Sequence, residues 1–193
     1  MMAKSIKSVL FVGTTLALFS FDLPKGWFIA GDSPEKYEMG IDKGAGQGGK
    51  NAATIKSIEK KINGFGTLMQ ECLPGKYLGK RIRMTGYLKS KNVVDWAGFW
   101  LRVDQKNSDE SLSFDNMHDG KLDRSIKGTT DWKQYEIVLD VPENASNIAF
   151  GGLLSGTGQI WFDNLNFEIV DTSVPTTGED SVNSEPTNLN FDE

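Results

Sequence analysis

The residues from Gly40 to Ser57, GIDKGAGQGGKNAATIKS, carry the spacings of two phosphate-binding signatures. Gly44, Gly46 and Gly49 fit the GxGxxG fingerprint of a dinucleotide site, and Gly44, Gly49 and Lys50 fit most of a P-loop. Both motifs present backbone N–H groups at the start of a helix that follows a buried strand. Here Asn51 stands where a P-loop needs Ser or Thr for magnesium, PEKYEMGID ahead is half polar, and NAATIKS behind is short and strand-like. The stretch reads as a flexible loop between two strands.

Nucleophilic and metal chemistry find little support. The one cysteine, Cys72, cannot form an intramolecular disulfide or a cysteine metal framework, and the one histidine, His118, cannot build a His-based zinc site. No GxSxG elbow accompanies His118, which lies in the polar turn DNMHDGK. The chain is expected not to be an enzyme. Its net charge of −5, with Lys and Arg dispersed, argues against a nucleic-acid surface.

The binding signal is aromatic. In WAGFWLRVD, Ala97, Phe99, Leu101 and Val103 form one face and Trp96, Trp100 and Arg102 the other. Two outward tryptophans call for something to cover them. Sugars do so with their C–H faces, while their hydroxyls bond to Arg, Asn, Gln and carboxylates. Tyr87 and Arg83 on the preceding strand would extend this platform if both strands share a sheet. Gln70, Asp115 and Asn116 would add polar contacts. The alternative is that a loop such as Gln105–Gly120 folds over Trp96 and Trp100 as a small second core.

The elements that must position these residues alternate with period two. RIRMTGYLKS turns Ile82, Met84 and Leu88 one way, and WKQYEIVLDVP turns Tyr135, Ile137, Leu139 and Val141 inward. NAATIKSIEKKINGFG fits a strand followed by a loop. The expected fold is all-β, a two-sheet antiparallel sandwich with Phe99, Leu101, Ile137, Leu139, Phe150, Trp161 and Phe167 in one core.

The ends differ in character. Lys4 and Lys7 precede an apolar run from Val9 to Phe21, the layout of a secretory signal peptide and too short to span a membrane comfortably. Residues 1–20 are thus expected to be a signal peptide, giving a secreted or periplasmic protein. Residues 21–170 form the binding module. Residues 171–193, rich in Ser, Thr, Pro, Asn and acids, read as a linker or disordered tail.

The segments YLGKRIRMTGYLKS, WAGFWLRVD, LSFDNM and the stretch from Thr129 to Val170 occur in an order that resembles a bacterial jelly-roll module. That module is similar to carbohydrate-binding modules with a galactose-binding-like sandwich. Related modules stand ahead of exported hydrolases, including carboxyl-terminal-processing serine peptidases and erythromycin-esterase-like proteins, and some are attached to transcriptional regulators. The resemblance implies a jelly roll strongly and glycan binding loosely. The other function it leaves open is a structural or protein-interaction domain accessory to an exported hydrolase.

The resemblance also implies a structural calcium ion. Asp163 shares the parity of Trp161, Leu165 and Phe167, and a buried carboxylate must be paired or metal-bound. Asp22 matches the first-strand acid of related modules, and the loop from Gly46 to Lys50 would supply backbone carbonyls, oxygen ligands that suit calcium. Alternatively the Lys50 side chain itself satisfies Asp163.

Overall fold

The computed structural model describes residues 21–108 and 110–178. The expected signal peptide lies outside them, as do residues 179–193. Nine strands follow in order: β1 (Phe28–Gly31), β2 (Tyr37–Asp42), β3 (Ala52–Ser57), β4 (Phe65–Cys72), β5 (Lys80–Gln105), β6 (Ser111–Asp115), β7 (Ile126–Val141), β8 (Ala145–Ser155) and β9 (Gln159–Val170). All pairings are antiparallel. The two-sheet antiparallel sandwich expected from the alternation is the fold, with the jelly roll that the resemblance implied, and the glycine-rich stretch is the β2–β3 loop.

β5 belongs to both layers. Its first half, Lys80–Lys91, pairs with β7 and β9, completing the layer β2-β3-β9-β5-β7. Its second half, Trp96–Gln105, pairs with β8 and β6, completing the layer β1-β4-β8-β5-β6. Between them Asn92 takes a left-handed φ of 53°, and the β5–β7 register shifts on either side of Val93. Asn tolerates that conformation better than most residues, so the strand turns there from one layer to the other.

Ile55, Leu68, Ile82, Leu88, Phe99, Leu101, Ile137, Leu139 and Phe162 fill the space between the layers, with Phe150 buried among them and Phe167 packed against them. Trp161 departs from expectation. Ile160 and Phe162 point inward and Trp161 outward, because Asn164 at φ 54° shifts the parity so that Leu165 and Phe167 resume the inward row. A bulge of this kind inverts every side chain on one side of it. Gly86 makes room for the result, since a Cβ there would sit 2.8 Å from the Phe99 ring and 3.3 Å from Leu165.

The chain does not leave the sandwich at Val170. Arg81 donates to the carbonyls of Thr172 and Val174, and Thr177 exchanges backbone and hydroxyl hydrogen bonds with Val138. Residues 171–178 therefore strap the β7 side of the domain. No helix among the described residues is long and apolar enough to cross a membrane.

Candidate ligand-binding site

The outer face of the β1-β4-β8-β5-β6 layer carries a shallow trough. Register places Trp100 beside Gly151, Gly151 beside Met69, and Met69 beside Phe28. One step along, Gly98 lies beside Leu153, Leu153 beside Thr67, and Thr67 beside Ala30. Small residues at 98, 149 and 151 lower the middle of the sheet. The Trp100 indole reaches across β8, and its N–H donates to the Thr67 hydroxyl at 2.8 Å. Thr67 in turn donates to the Gly152 carbonyl at 2.7 Å, so both partners are committed.

Trp100 is thus the floor of a groove of about 450 Å³, walled by Phe28, Phe65, Met69, Phe114 and Leu153. Glu71 and Arg102 stand together at one end, in register across Ala149. Arg102 is ion-paired with Asp104 at 2.8 Å. The volume lies within the range of small-molecule sites, roughly 300–1,000 Å³. Trp100 is 7% exposed and joins Met69, Ala149 and Leu153 in a small second cluster. It both packs the sheet and faces the groove.

Trp96 lies beyond Phe65 at the opposite end and is covered. His118 stacks on it with centroids 4.8 Å apart and 19° between planes. The loop after β6 thus folds over Trp96. Trp96 and Phe114 both pack against the small cluster that holds Trp100, so the expected alternative of a second core between Gln105–Gly120 and the two tryptophans has support here. A second, more polar hollow of about 830 Å³ adjoins it, lined by Asp32, Lys61, Asp95, Trp96, His118 and Asp119 among others. Nearby, burial holds the Tyr37 phenol well above the usual tyrosine range, with the charges of Asp32 and Asp95 adding to the effect.

The remaining expected contact residues do not join Trp100. Tyr87 and Arg83 belong to the first half of β5 and lie on the far side of the sandwich, where Arg83 pairs with Glu136 at 3.2 Å and Glu168 at 3.1 Å. Gln70 shares the parity of buried Leu68 and sits beside Gly26 rather than with Thr67 and Met69. Asp115, 1% exposed, is ion-paired with Arg124 and accepts the Met117 N–H. Asn116 is buried and closes the turn, accepting from the N–H groups of His118 and Asp119. Of the eight residues, Trp96, Trp100 and Arg102 share one face.

Phe28, Thr67, Met69, Glu71, Phe114 and Leu153 escaped the sequence reading. Alternation in GFGTLMQE puts Thr67, Met69 and Glu71 on one face, but nothing in that segment says which face is outward.

The residues expected to hold calcium each have protein partners here. Calcium takes about six to eight oxygens. Asp22 is ion-paired with Lys43 at 3.2 Å and largely exposed. The Lys50 carbonyl accepts the Gly46 N–H at 2.7 Å. Asp163 faces outward, not into the core, and accepts N–H groups of Gln47 and Asn164. Among the described residues no three or more His, Cys, Asp or Glu side chains converge on a point that would hold a metal. A protein cation stands close to this loop instead. The Lys89 ammonium donates to the Ala45 carbonyl at 3.0 Å and lies 4.7 Å and 5.0 Å from the ring centroids of Trp161 and Trp132.

No family model matches the chain. A Bacillus subtilis (strain 168) protein described as the uncharacterized HTH-type transcriptional regulator YbfP is 45% identical over 173 residues, which is 88% of this chain and 57% of that protein. The chain therefore spans little more than half the length of the curated relative it matches. Among solved structures, the CBM22-1 xylan-binding domain of Paenibacillus barcinonensis Xyn10C superposes with a TM-score of 0.55 at 11% identity, over 78% of this chain and 89% of that one. The CBM22-1–GH10 modules of Clostridium thermocellum xylanase 10B give 0.53 at 14% identity, over 75% and 26%. The enzymatically active domain of bacteriophage CBA120 tailspike protein 4 gives 0.57 at 10% identity, over 76% and 20%. At these identities the likeness is one of fold.

Proposed function

We propose that this sandwich is a non-catalytic carbohydrate-binding module whose ligand lies in the groove over Trp100. The observation that carries the reading is the groove lined by Phe28, Phe65, Trp100 and Phe114, with Arg102 and Glu71 at one end. A glycan ligand finds apolar lining for its apolar faces and the guanidinium and carboxylate for its hydroxyls. Two of the solved structures that share the fold are named as carbohydrate-binding modules, one of them xylan-binding. Glu71 is the one carboxylate lining the groove, whereas glycoside hydrolysis usually employs a pair. A single carboxylate there supports a reading of binding for this groove.

A second setting has its own observation. The 45% identical relative is named as an HTH-type transcriptional regulator. In a protein of that kind the module would recognise a sugar-type effector or hold a partner domain. The apolar run at residues 9–21 favours the other setting, an exported protein, for which the resemblance suggests a module accessory to a hydrolase.

Affinity electrophoresis against soluble polysaccharides, followed by calorimetry on hits, tests the core claim. Arg102→Ala is expected to weaken binding about tenfold, or about 1.4 kcal/mol, with an unchanged unfolding midpoint. Wild-type mobility unaffected by every polysaccharide, together with capture of a defined partner domain, would instead select the interaction reading.

A further inference from the structure

Among the side chains that line the groove itself, Thr67 apart, hydrogen-bonding groups stand at the Glu71–Arg102 end. Along its length the lining is Phe28, Ala30, Phe65, Met69, Trp100, Phe114 and Leu153, and the Thr67 hydroxyl among them already accepts from Trp100 and donates to Gly152. The Trp100 N–H is likewise spent. Free polar partners appear at Glu71 and Arg102, where Arg102 still has guanidinium N–H groups beyond those facing Asp104. An ordinary oligosaccharide laid along this trough would press hydroxyls against the four aromatic residues with no partner. An unpartnered buried hydroxyl is costly.

We propose that the ligand is a sugar bearing an aromatic substituent, a phenolic glycoside or aryl ester, with the aromatic ring over Trp100 and the sugar at the Glu71–Arg102 end. This rests on the carbohydrate reading of the same groove and names its ligand class. The aromatic ring covers the exposed part of Trp100 and meets Phe28 and Phe114 at the walls, contacts that aromatic pairs favour in offset or edge-on geometry. The sugar hydroxyls then meet the donors and acceptors of Arg102 and Glu71. Phe28 is 41% exposed on the edge strand β1, so ligand contact covers apolar surface that the fold leaves open.

Titration calorimetry with matched methyl and 4-nitrophenyl β-glycosides of glucose, galactose and xylose, beside 4-nitrophenol alone, tests the assignment. The expected result is that for at least one sugar the aryl glycoside binds about tenfold or more tightly than the methyl glycoside. Phe28→Ala should reduce that ratio to about twofold while melting stays unchanged, and Arg102→Ala should weaken both glycosides alike and leave the ratio standing. Equal binding of methyl and aryl glycosides overturns the inference and leaves the carbohydrate reading intact. Nitrophenol binding as tightly as its glycosides overturns the carbohydrate reading and this inference with it. So does no binding by any probe at millimolar concentration.

Discussion

The indole N–H of Trp100 on β5 donates to the Thr67 hydroxyl on β4, across the whole width of β8. The contact commits the indole N–H and holds the Trp100 side chain across β8, where it lines the groove. Thr67→Val keeps the shape of the side chain but removes the acceptor, leaving a buried N–H without a partner. The expected cost is about 1–3 kcal/mol, read by chemical denaturation, with a changed tryptophan emission reporting the freed indole. Trp100→Ala should cost more, about 3–5 kcal/mol, and therefore makes a poor probe of binding. A Thr67→Val protein as stable as wild type would show that the hydroxyl does not hold the floor.

Asp115 and Arg124 form the second anchor of this face. The carboxylate is fully buried, while Arg124 also donates to the Glu136 carbonyl and bonds the Met117 carbonyl through its own N–H. Together they hold the turn from Asn116 to Asp119 that presents His118 to Trp96. Arg124→Ala leaves Asp115 buried without its counter-charge, and about 3–5 kcal/mol should be lost. Asp115→Asn with Arg124→Met removes both charges and should recover much of that loss. Failure of the double variant to recover any stability would mean that the turn depends on the hydrogen bond from the Arg124 side chain to the Glu136 carbonyl instead.

Tyr37 should govern stability in alkali. Its hydroxyl lies 2.9 Å from the Gly156 carbonyl and 3.1 Å from that of Gly64, and burial raises its pKa well above the ordinary value of 10.0. A group whose folded pKa is raised contributes stability that is complete below the unfolded value and declines as pH rises toward the folded one. Above about pH 10 the unfolded chain ionises Tyr37 and the folded chain does not, so unfolding becomes progressively easier. Tyr37→Phe should be less stable at pH 7 by about 1 kcal/mol but lose less on going to pH 11. Tyr135, raised by burial as well, leaves some residual dependence. Parallel melting curves for the two proteins between pH 8 and 11 would exclude Tyr37 as the source.

Alternation made the sandwich legible, because each strand buries one face and the buried residues recur at every second position. Phe99, Leu101, Ile137 and Leu139 are among the most buried side chains for that reason. The site was legible only along β5. Trp96, Trp100 and Arg102 share a face because they lie on one uninterrupted stretch of strand. Tyr87 and Arg83 lie on the same strand, yet they look out from the opposite layer, since the turn at Asn92 intervenes. A period-two pattern carries no sign of such a crossing. The same blindness misplaced Trp161 and Asp163, whose outward parity is set by a bulge at Asn164 that local hydrophobicity does not encode. Phe28 and Phe114 enter the groove through pairings made by the whole fold.

Lys89 offers the last test, because it bears on the expected metal. Its ammonium lies against the faces of Trp161 and Trp132 and donates to the Ala45 carbonyl in the β2–β3 loop. Trp161 is itself pinned, donating to Asp42 at 2.7 Å. A cation over aromatic faces contributes about 0.5–2 kcal/mol depending on desolvation, and here two rings and a carbonyl share it. Lys89→Met keeps the aliphatic stem and removes the charge, and should lower stability by about 1–2 kcal/mol. Arginine at 89 should restore less than lysine, because a planar guanidinium must stack where an ammonium points. If the loop is closed by this side chain, wild type and Lys89→Met each melt at the same temperature in calcium and in chelator. A calcium-dependent rise in the wild-type melting temperature, abolished by Asp163→Asn, would return the cation to Asp163 and demote Lys89 to a bystander.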